Sequence, residues 1–287
     1  MKTWLLFIFS LVIHPFLQSN AQTPLPAIGI CTSFSNDSLA AASGFTYVEE
    51  TVRKILSPSL SEAQFREQLH ALRSSRCKVQ SCNVFVPGYI KLTGSEVNEA
   101  RVLGYVDSVM QRAKIAGIKL IVLGSGEARK MPEGTDRPKA VQQFVQLGRK
   151  MAVIAAKYDV VIAMENLNQS ETNFVNTLTE GIEVATAIHH PNFRLTADIY
   201  HMLRENESAA SIEKAKGLLV HCHIAEKEKR SAPGVTKEDF RPYFAALHKI
   251  DFTGHIMMEC RWDDPATEYK PAFDYLEGQL KEAWVTK

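Results

Sequence analysis

Eight short apolar runs, each followed by a polar or helix-spaced segment, set the tightest limit on how this chain can fold. The runs are Ala27–Cys31, Phe45–Glu49, Val79–Val86, Lys119–Leu123, Val160–Met164, Phe193–Ala197, Leu218–Ile224 and His255–Met258. At four to eight residues they have the length of strands. Between them, Phe65, Leu69 and Leu72 recur at helical spacing within Ser61–Ser74, and Val102, Tyr105, Val106, Val109 and Ala113 do so within Val97–Ala116. Helices are also expected in the small-residue stretch Ser38–Ser43 and over Lys139–Lys157, Thr179–His189, Ser211–Ala215 and Lys237–His248. The last is expected over Ala272–Trp284, with Pro271 in its first turn.

Eight strands alternating with helices, with no composition break or low-complexity linker, predict an α/β fold of one domain: a single (β/α)8 TIM barrel. The 266 residues from Gln22 to Lys287 match the usual size of that architecture. The competing arrangement, a doubly wound sheet, normally puts a glycine-rich turn directly after its first strand. Ile30-Cys31-Thr32-Ser33-Phe34 contains no such turn. Gly124-Ser125-Gly126, after the fourth run, lacks both the dinucleotide and the P-loop spacing and reads as a tight loop.

A closed parallel barrel brings the C-terminal ends of its strands to one rim, where active sites of this architecture are built. Acids and histidines interrupt the apolar runs at those ends. Glu49 follows Tyr47-Val48, Glu165 follows Val160–Met164, Asp198 follows Leu195-Thr196-Ala197, and Glu259 follows Ile256-Met257-Met258. His221 and His223 alternate through Val220–Ile224, so both should face the same side of an extended strand. A site of Glu165, Asp198, His223 and Glu259 offers three carboxylates and one imidazole, a donor set suited to Mn2+, Mg2+ or Zn2+. Such a cation would fix a hydroxyketone or similar bidentate oxygen substrate and polarise its carbonyl. Glu165 and Glu259, on the fifth and eighth strands, are then the candidate catalytic acid–base pair for moving a carbon-bound proton. His221 reads as a substrate contact or as an organiser of the site. Trp262, which follows Cys260-Arg261, reads either as a stacking surface for a sugar or as loop packing.

The start of the chain belongs to a different design. Lys2 precedes an apolar run from Trp4 to Phe16, and Ser19-Asn20-Ala21 has the small residues of a cleavage site. Residues 1–21 therefore read as a secretory signal peptide and residues 22–287 as the barrel domain, which makes the expected location periplasmic or secreted, with no stable membrane insertion after cleavage. Removing Lys2 with the leader leaves 32 basic and 32 acidic residues. A balance of zero gives no field for a nucleic-acid partner, so the chemistry must come from a local site. The five cysteines show no CxxC spacing and read as buried free thiols; only Cys77 and Cys82 have a spacing that suggests a bridge.

Five markers occur in order: Phe45-Thr46-Tyr47-Val48-Glu49, Met164-Glu165-Asn166, Thr196-Ala197-Asp198-Ile199-Tyr200-His201, His221-Cys222-His223-Ile224-Ala225-Glu226 and Met258-Glu259. Together they resemble the xylose-isomerase-like TIM barrels of the sugar isomerase/epimerase family, especially the branch of D-tagatose and D-psicose 3-epimerases. The resemblance runs through most of the barrel domain. It implies that Glu165, Asp198, His223 and Glu259 are the metal ligands, and that Glu171 and His201 contact substrate. It also implies an arginine shortly before a Pro-Gly turn. Arg230 precedes Pro233-Gly234 here, in a loop one residue longer that leaves Lys229 as the alternative. The function implied is metal-dependent isomerisation or epimerisation of a sugar or keto-sugar, with a small-molecule sugar or glycoside as partner. The alternatives are β-elimination or hydrolysis of an oxidised glycoside through the same site, abasic-site nuclease activity, and carbohydrate binding without turnover.

Overall fold

In the computed structural model, which describes residues 24–284, eight parallel strands close into one barrel. In chain order they are β1 (Ile28–Cys31), β2 (Tyr47–Thr51), β3 (Lys78–Asn83), β4 (Leu120–Leu123), β5 (Val161–Glu165), β6 (Phe193–Asp198), β7 (Leu219–Ile224) and β8 (His255–Met258). Each pairs with the next, and β8 pairs with β1. The (β/α)8 TIM barrel expected from the alternation is the fold. The leader proposed for residues 1–21 lies outside the described residues. Among the described residues no helix is long and apolar enough to cross a membrane.

Helices begin where side chains satisfy the free amides of a first turn. Ser61 accepts from the Gln64 amide while Gln64 accepts from that of Ser61, a capping box that opens Glu62–Ser74. Asp136 caps Arg137–Lys157 and Asn98 caps Glu99–Ala116. Several boundaries differ from expectation, and three of them are informative. Phe45 precedes β2, because its ring is buried edge-on against Tyr269 and Phe273 of the last helix and needs no strand to be covered. β3 stops at Asn83, because Val84 turns into the left-handed region at φ 51°. The last helix runs Pro265–Trp284, so Pro265 takes the first turn and Pro271 lies inside the helix.

Strand alternation divides the side chains into two sets. Ile162, Met164, Leu195, Ala197, Cys222, Ile224, Ile256 and Met258 join one apolar cluster with the surrounding helices. The alternate positions include Glu49, Asn83, Glu165, Asp198, His221 and His223, all buried; Glu49, Glu165, His221 and His223 meet one another, Asn83 meets Glu259, and Asp198 meets His201. A barrel interior is ordinarily filled by branched apolar residues. Here much of it is a buried polar network, which implies a function that justifies the cost of burial. All five cysteines are free, so the Cys77–Cys82 bridge does not form. The Cys77 thiol instead donates to the Phe45 carbonyl at 3.4 Å.

Candidate metal centre

The ends of β5, β6, β7 and β8 converge so that one donor atom from each of Glu165, Asp198, His223 and Glu259 lies within 4.8 Å of the others. His223 is the hub. Its Nδ1 lies 2.6 Å from Glu165 Oε1 and 3.2 Å from Glu259 Oε2, and its Nε2 is 2.8 Å from Glu49 Oε1. Glu49 therefore sets the ring: an Nε2–H donated to its carboxylate leaves Nδ1 to face the acidic cluster. That is the usual arrangement of a ligating histidine with a carboxylate behind it.

Local structure holds each of the other ligands. Asp198 ends β6 and also caps the helix Ile199–Arg204, its Oδ1 accepting from the His201 amide at 3.1 Å. Asn166 clamps the Asp198 backbone, accepting from its N–H at 3.0 Å and donating to its carbonyl at 3.2 Å. Asn83 donates to Glu259 Oε1 at 2.9 Å. Gly124, just beyond β4, leaves room for Glu165, because a Cβ there would overlap Glu165 Oε2.

The electrostatics fit a cation. Burial raises Glu165 to about 7, and the charges of Glu259 and Asp198 push the same way, while His223 opposes them. Burial also disfavours the charge on Glu259, but His223 and Arg230 outweigh it and hold that carboxyl down at about 2. For His223, burial would lower the pKa, yet Glu49 and Glu259 carry it well above the usual imidazole value. A proton and a divalent cation are thus alternative partners of Nδ1, and the two buried carboxylates of Glu165 and Asp198 with the half-buried Glu259 call for positive charge. The hard oxygen donors and one imidazole suit Mn2+, Mg2+ or Zn2+. Cys31, Glu49 and His223 form a second potential donor group. There the thiol donates to Glu49 Oε1 at 3.4 Å, and burial raises its pKa well above the thiol norm. Thiolate ligation is therefore disfavoured.

A cavity of about 290 Å3 opens over the cluster, lined by Glu165, Glu259, Glu171, His201, Arg230, Val84 and Val86–Gly88, among others. His201 is fully buried, and its Nδ1 accepts from the Asn168 amide at 3.1 Å. Its Nε2 then carries the proton and lies 3.4 Å from Asp198 Oδ2 and 4.0 Å from Glu171 Oε1. Burial lowers the His201 pKa, which favours this neutral donor form. Arg230 contacts Glu259 Oε2, lies 3.3 Å from Asp198 Oδ2 and 3.6 Å from Glu171 Oε1, and stacks over Tyr200 at 4.8 Å. Lys229 lines a different cavity, so Arg230 is the residue the loop brings to the site. The loop is tied by Glu226, whose fully buried carboxylate accepts from Gly234 N (2.7 Å), Thr236 Oγ1 (2.7 Å), Glu238 N (3.2 Å) and Ser231 Oγ (3.2 Å).

Two candidates fall elsewhere. His221 does face the same side as His223, but its Nε2 lies against Glu49 Oε2 at 2.9 Å, and it lines a cavity at the other end of the barrel with Gln80, Lys119 and His255. It braces Glu49 and does not reach the cavity over Glu165 and Glu259, since it sits two residues, or one layer, deeper along β7. Trp262 packs edge-on against Tyr269 at 4.7 Å and lines the cavity that contains Lys229, so the loop-packing alternative describes its contacts. Asn83 and Arg129 are additional members of the neighbourhood. Burial lowers Arg129 to about 10 against the pull of Glu165 and Glu171, so it stays cationic near neutral pH and supports their charge.

The fold and these donors define a class: a (β/α)8 barrel with a cluster of three carboxylates and one imidazole at its C-terminal rim that could hold a hard cation. The family model described as xylose isomerase-like TIM barrel matches residues 38–279, and the chain belongs to that family. It is 33% identical over 148 residues to an L-ribulose 3-epimerase of Methylomonas sp. strain DH-1, covering 51% of this chain and 49% of that protein. It is 28% identical over 131 residues to the 3-dehydro-D-guloside 4-epimerase of Escherichia coli K12, covering 45% and 50% respectively. The chain thus spans about half the length of these curated relatives. Among solved structures, a 3-keto-D-glucoside 4-epimerase from E. coli superposes with a TM-score of 0.75 at 20% identity, over 88% of this chain and 99% of that one. At that identity the likeness concerns the fold.

Proposed function

We propose that this protein is a divalent-metal-dependent epimerase or isomerase of a keto-sugar, either a ketose or an oxidised glycoside. The observation that carries this reading is the pairing of Glu165 and Glu259, which come from β5 and β8 and both reach His223 Nδ1 at the floor of a sugar-sized cavity. Glu165, Asp198, His223 and Glu259 would hold the cation, which when bound supplies Lewis-acid polarisation of the sugar carbonyl. One glutamate takes the proton from the carbon beside that carbonyl, and the other returns a proton to the opposite face. His201 donates from Nε2 to a substrate oxygen, while Arg230 and Glu171 orient the hydroxyls. The largely buried setting of Glu165 strengthens each of these interactions. The signal segment supports a periplasmic or secreted location, which recovery of a mature chain beginning at Gln22 would test.

Epimerisation conserves mass, whereas elimination and hydrolysis do not. Incubation of the metal-loaded protein with ketoses and 3-keto-glycosides in deuterated water should give an isomer carrying solvent deuterium at the reacting carbon. Glu165→Gln and Glu259→Gln should each lose about 10²–10⁴ in turnover, the usual range for an acid–base group. Metal content measured in parallel separates this loss from a loss of ligation. Full turnover by both variants would reject the pair, and a product whose mass differs from that of the substrate by anything other than the incorporated deuterium would reject epimerisation.

A further inference from the structure

The rim of the metal cavity is also the wall of a second one. Val84 and Pro87 line both the cavity of about 290 Å3 over Glu165 and Glu259 and a neighbour of about 440 Å3. The neighbour is completed by Arg53, Ser57, Ser59, Tyr89 and Tyr105. Val84 stands between them 50% exposed with φ 51°. A β-branched residue in the left-handed region is a backbone outlier, of the kind that persists where surrounding structure requires it. Tyr89 is 65% exposed, with the Arg101 guanidinium 5.1 Å from its ring centroid.

The floor of the second cavity is ordered by its own contacts. The Tyr105 hydroxyl donates to the Phe85 carbonyl at 2.9 Å, the Ser57 and Ser59 hydroxyls are 2.7 Å apart, and Arg112 donates to the Ser57 carbonyl. Arg53 has no hydrogen-bond or ion-pair partner among the described residues and is exposed at the edge. One aromatic face beside hydroxyls and a guanidinium matches a sugar ring, which has a C–H face and a rim of hydroxyls. A single hexose over the metal site would leave the second cavity unused. The cavity beside Trp262 shares no wall residue with the metal cavity, so it is not the continuation.

We infer that the substrate is a two-ring glycoside, its oxidised ring over Glu165 and Glu259 and its second sugar ring crossing Val84 and Pro87 to rest on Tyr89 beside Arg53 and Ser59. This rests on the epimerase reading for the chemistry but on the paired cavities for the size of the substrate. The probes are methyl 3-dehydro-β-D-glucopyranoside, with one ring, and cellobiose oxidised to the ketone at C3 of its non-reducing ring, with two.

With metal-loaded protein, kcat/KM should be at least about ten-fold higher for the two-ring probe, the scale of stacking and hydrogen bonds to one added ring. The ratio between probes should fall towards one in Tyr89→Ala and in Ser59→Trp, which fills the cavity, and should survive in Tyr89→Phe, which keeps the stacking face. Circular dichroism and metal content establish that each variant is folded and loaded. Equal kcat/KM for the two probes, or a preference that survives both Tyr89→Ala and Ser59→Trp, would overturn the inference. If neither probe turns over, the epimerase reading fails on these substrates, and calorimetry still tests the cavity. Tighter binding of the two-ring probe that is lost in Tyr89→Ala supports it; equal binding, or none, overturns it.

Discussion

His201 and His223 are both fully buried histidines near Asp198, yet their hydrogen bonds give them different work. His201 Nδ1 is occupied by the Asn168 amide, which leaves an Nε2–H, a donor that cannot ligate a cation. His223 hands Nε2 to Glu49 and keeps Nδ1 among the carboxylates. His201→Ala should therefore retain near-normal metal occupancy and lose substrate use, roughly 10²-fold in kcat/KM for a buried donor to the reacting sugar. His223→Ala should lower metal affinity directly, by ten-fold or more. Metal occupancy by elemental analysis, read beside kinetics, checks the division. Equal metal loss in both variants would defeat it, as would normal turnover by His201→Ala.

The loop after β7 works as a unit because Glu226 gathers its backbone. Its carboxylate receives hydrogen bonds from Ser231, Gly234, Thr236 and Glu238, and the same loop carries Arg230 over the cavity. Lys229 and Arg230 both adopt positive φ, at 55° and 56°, a conformation that an unsupported loop would relax. Glu226→Ala should cost about 2–4 kcal/mol of stability, the scale of losing one or two charge-assisted hydrogen bonds. It should also raise KM by about ten-fold or more and lower kcat as well, because the displaced Arg230 both orients substrate and pairs with Glu259. Denaturant unfolding and steady-state kinetics test both parts. A destabilised variant with unchanged KM would show that the loop's order is irrelevant to substrate binding.

For the molecule as a whole, the proposed cation site in the buried polar network should make stability depend on metal. Three carboxylates confined together repel one another, and a ligand that binds only the folded state stabilises it by mass action. At a free metal concentration 1,000 times Kd that contribution is ~4 kcal/mol. For a domain of this size it corresponds to a fall in Tm of roughly 8–16 °C on chelation. Calorimetric scans with chelator, and after restoring Mn2+, should show the fall and its recovery. A Tm indifferent to both would remove the metal from the structural account.

The barrel was legible in the chain because its cause is local and repeated: eight apolar strand-length runs alternating with helix-spaced segments admit few closed arrangements. The cluster of Glu165, Asp198, His223 and Glu259 was legible for the same reason. Acids and a histidine at strand ends must meet once parallel strands close, whatever the loops do. Glu49 carried that signal too, but only the barrel shows that its carboxylate stands behind His223 and lies against His221. The choice of Arg230 over Lys229, the packing of Trp262 on Tyr269, and the shared wall at Val84 depend on loop backbone and on contacts between distant segments. Periodicity determines which face a side chain takes along a strand; which layer of the closed barrel it reaches, and what stands opposite it there, is decided only when all eight strands are in register.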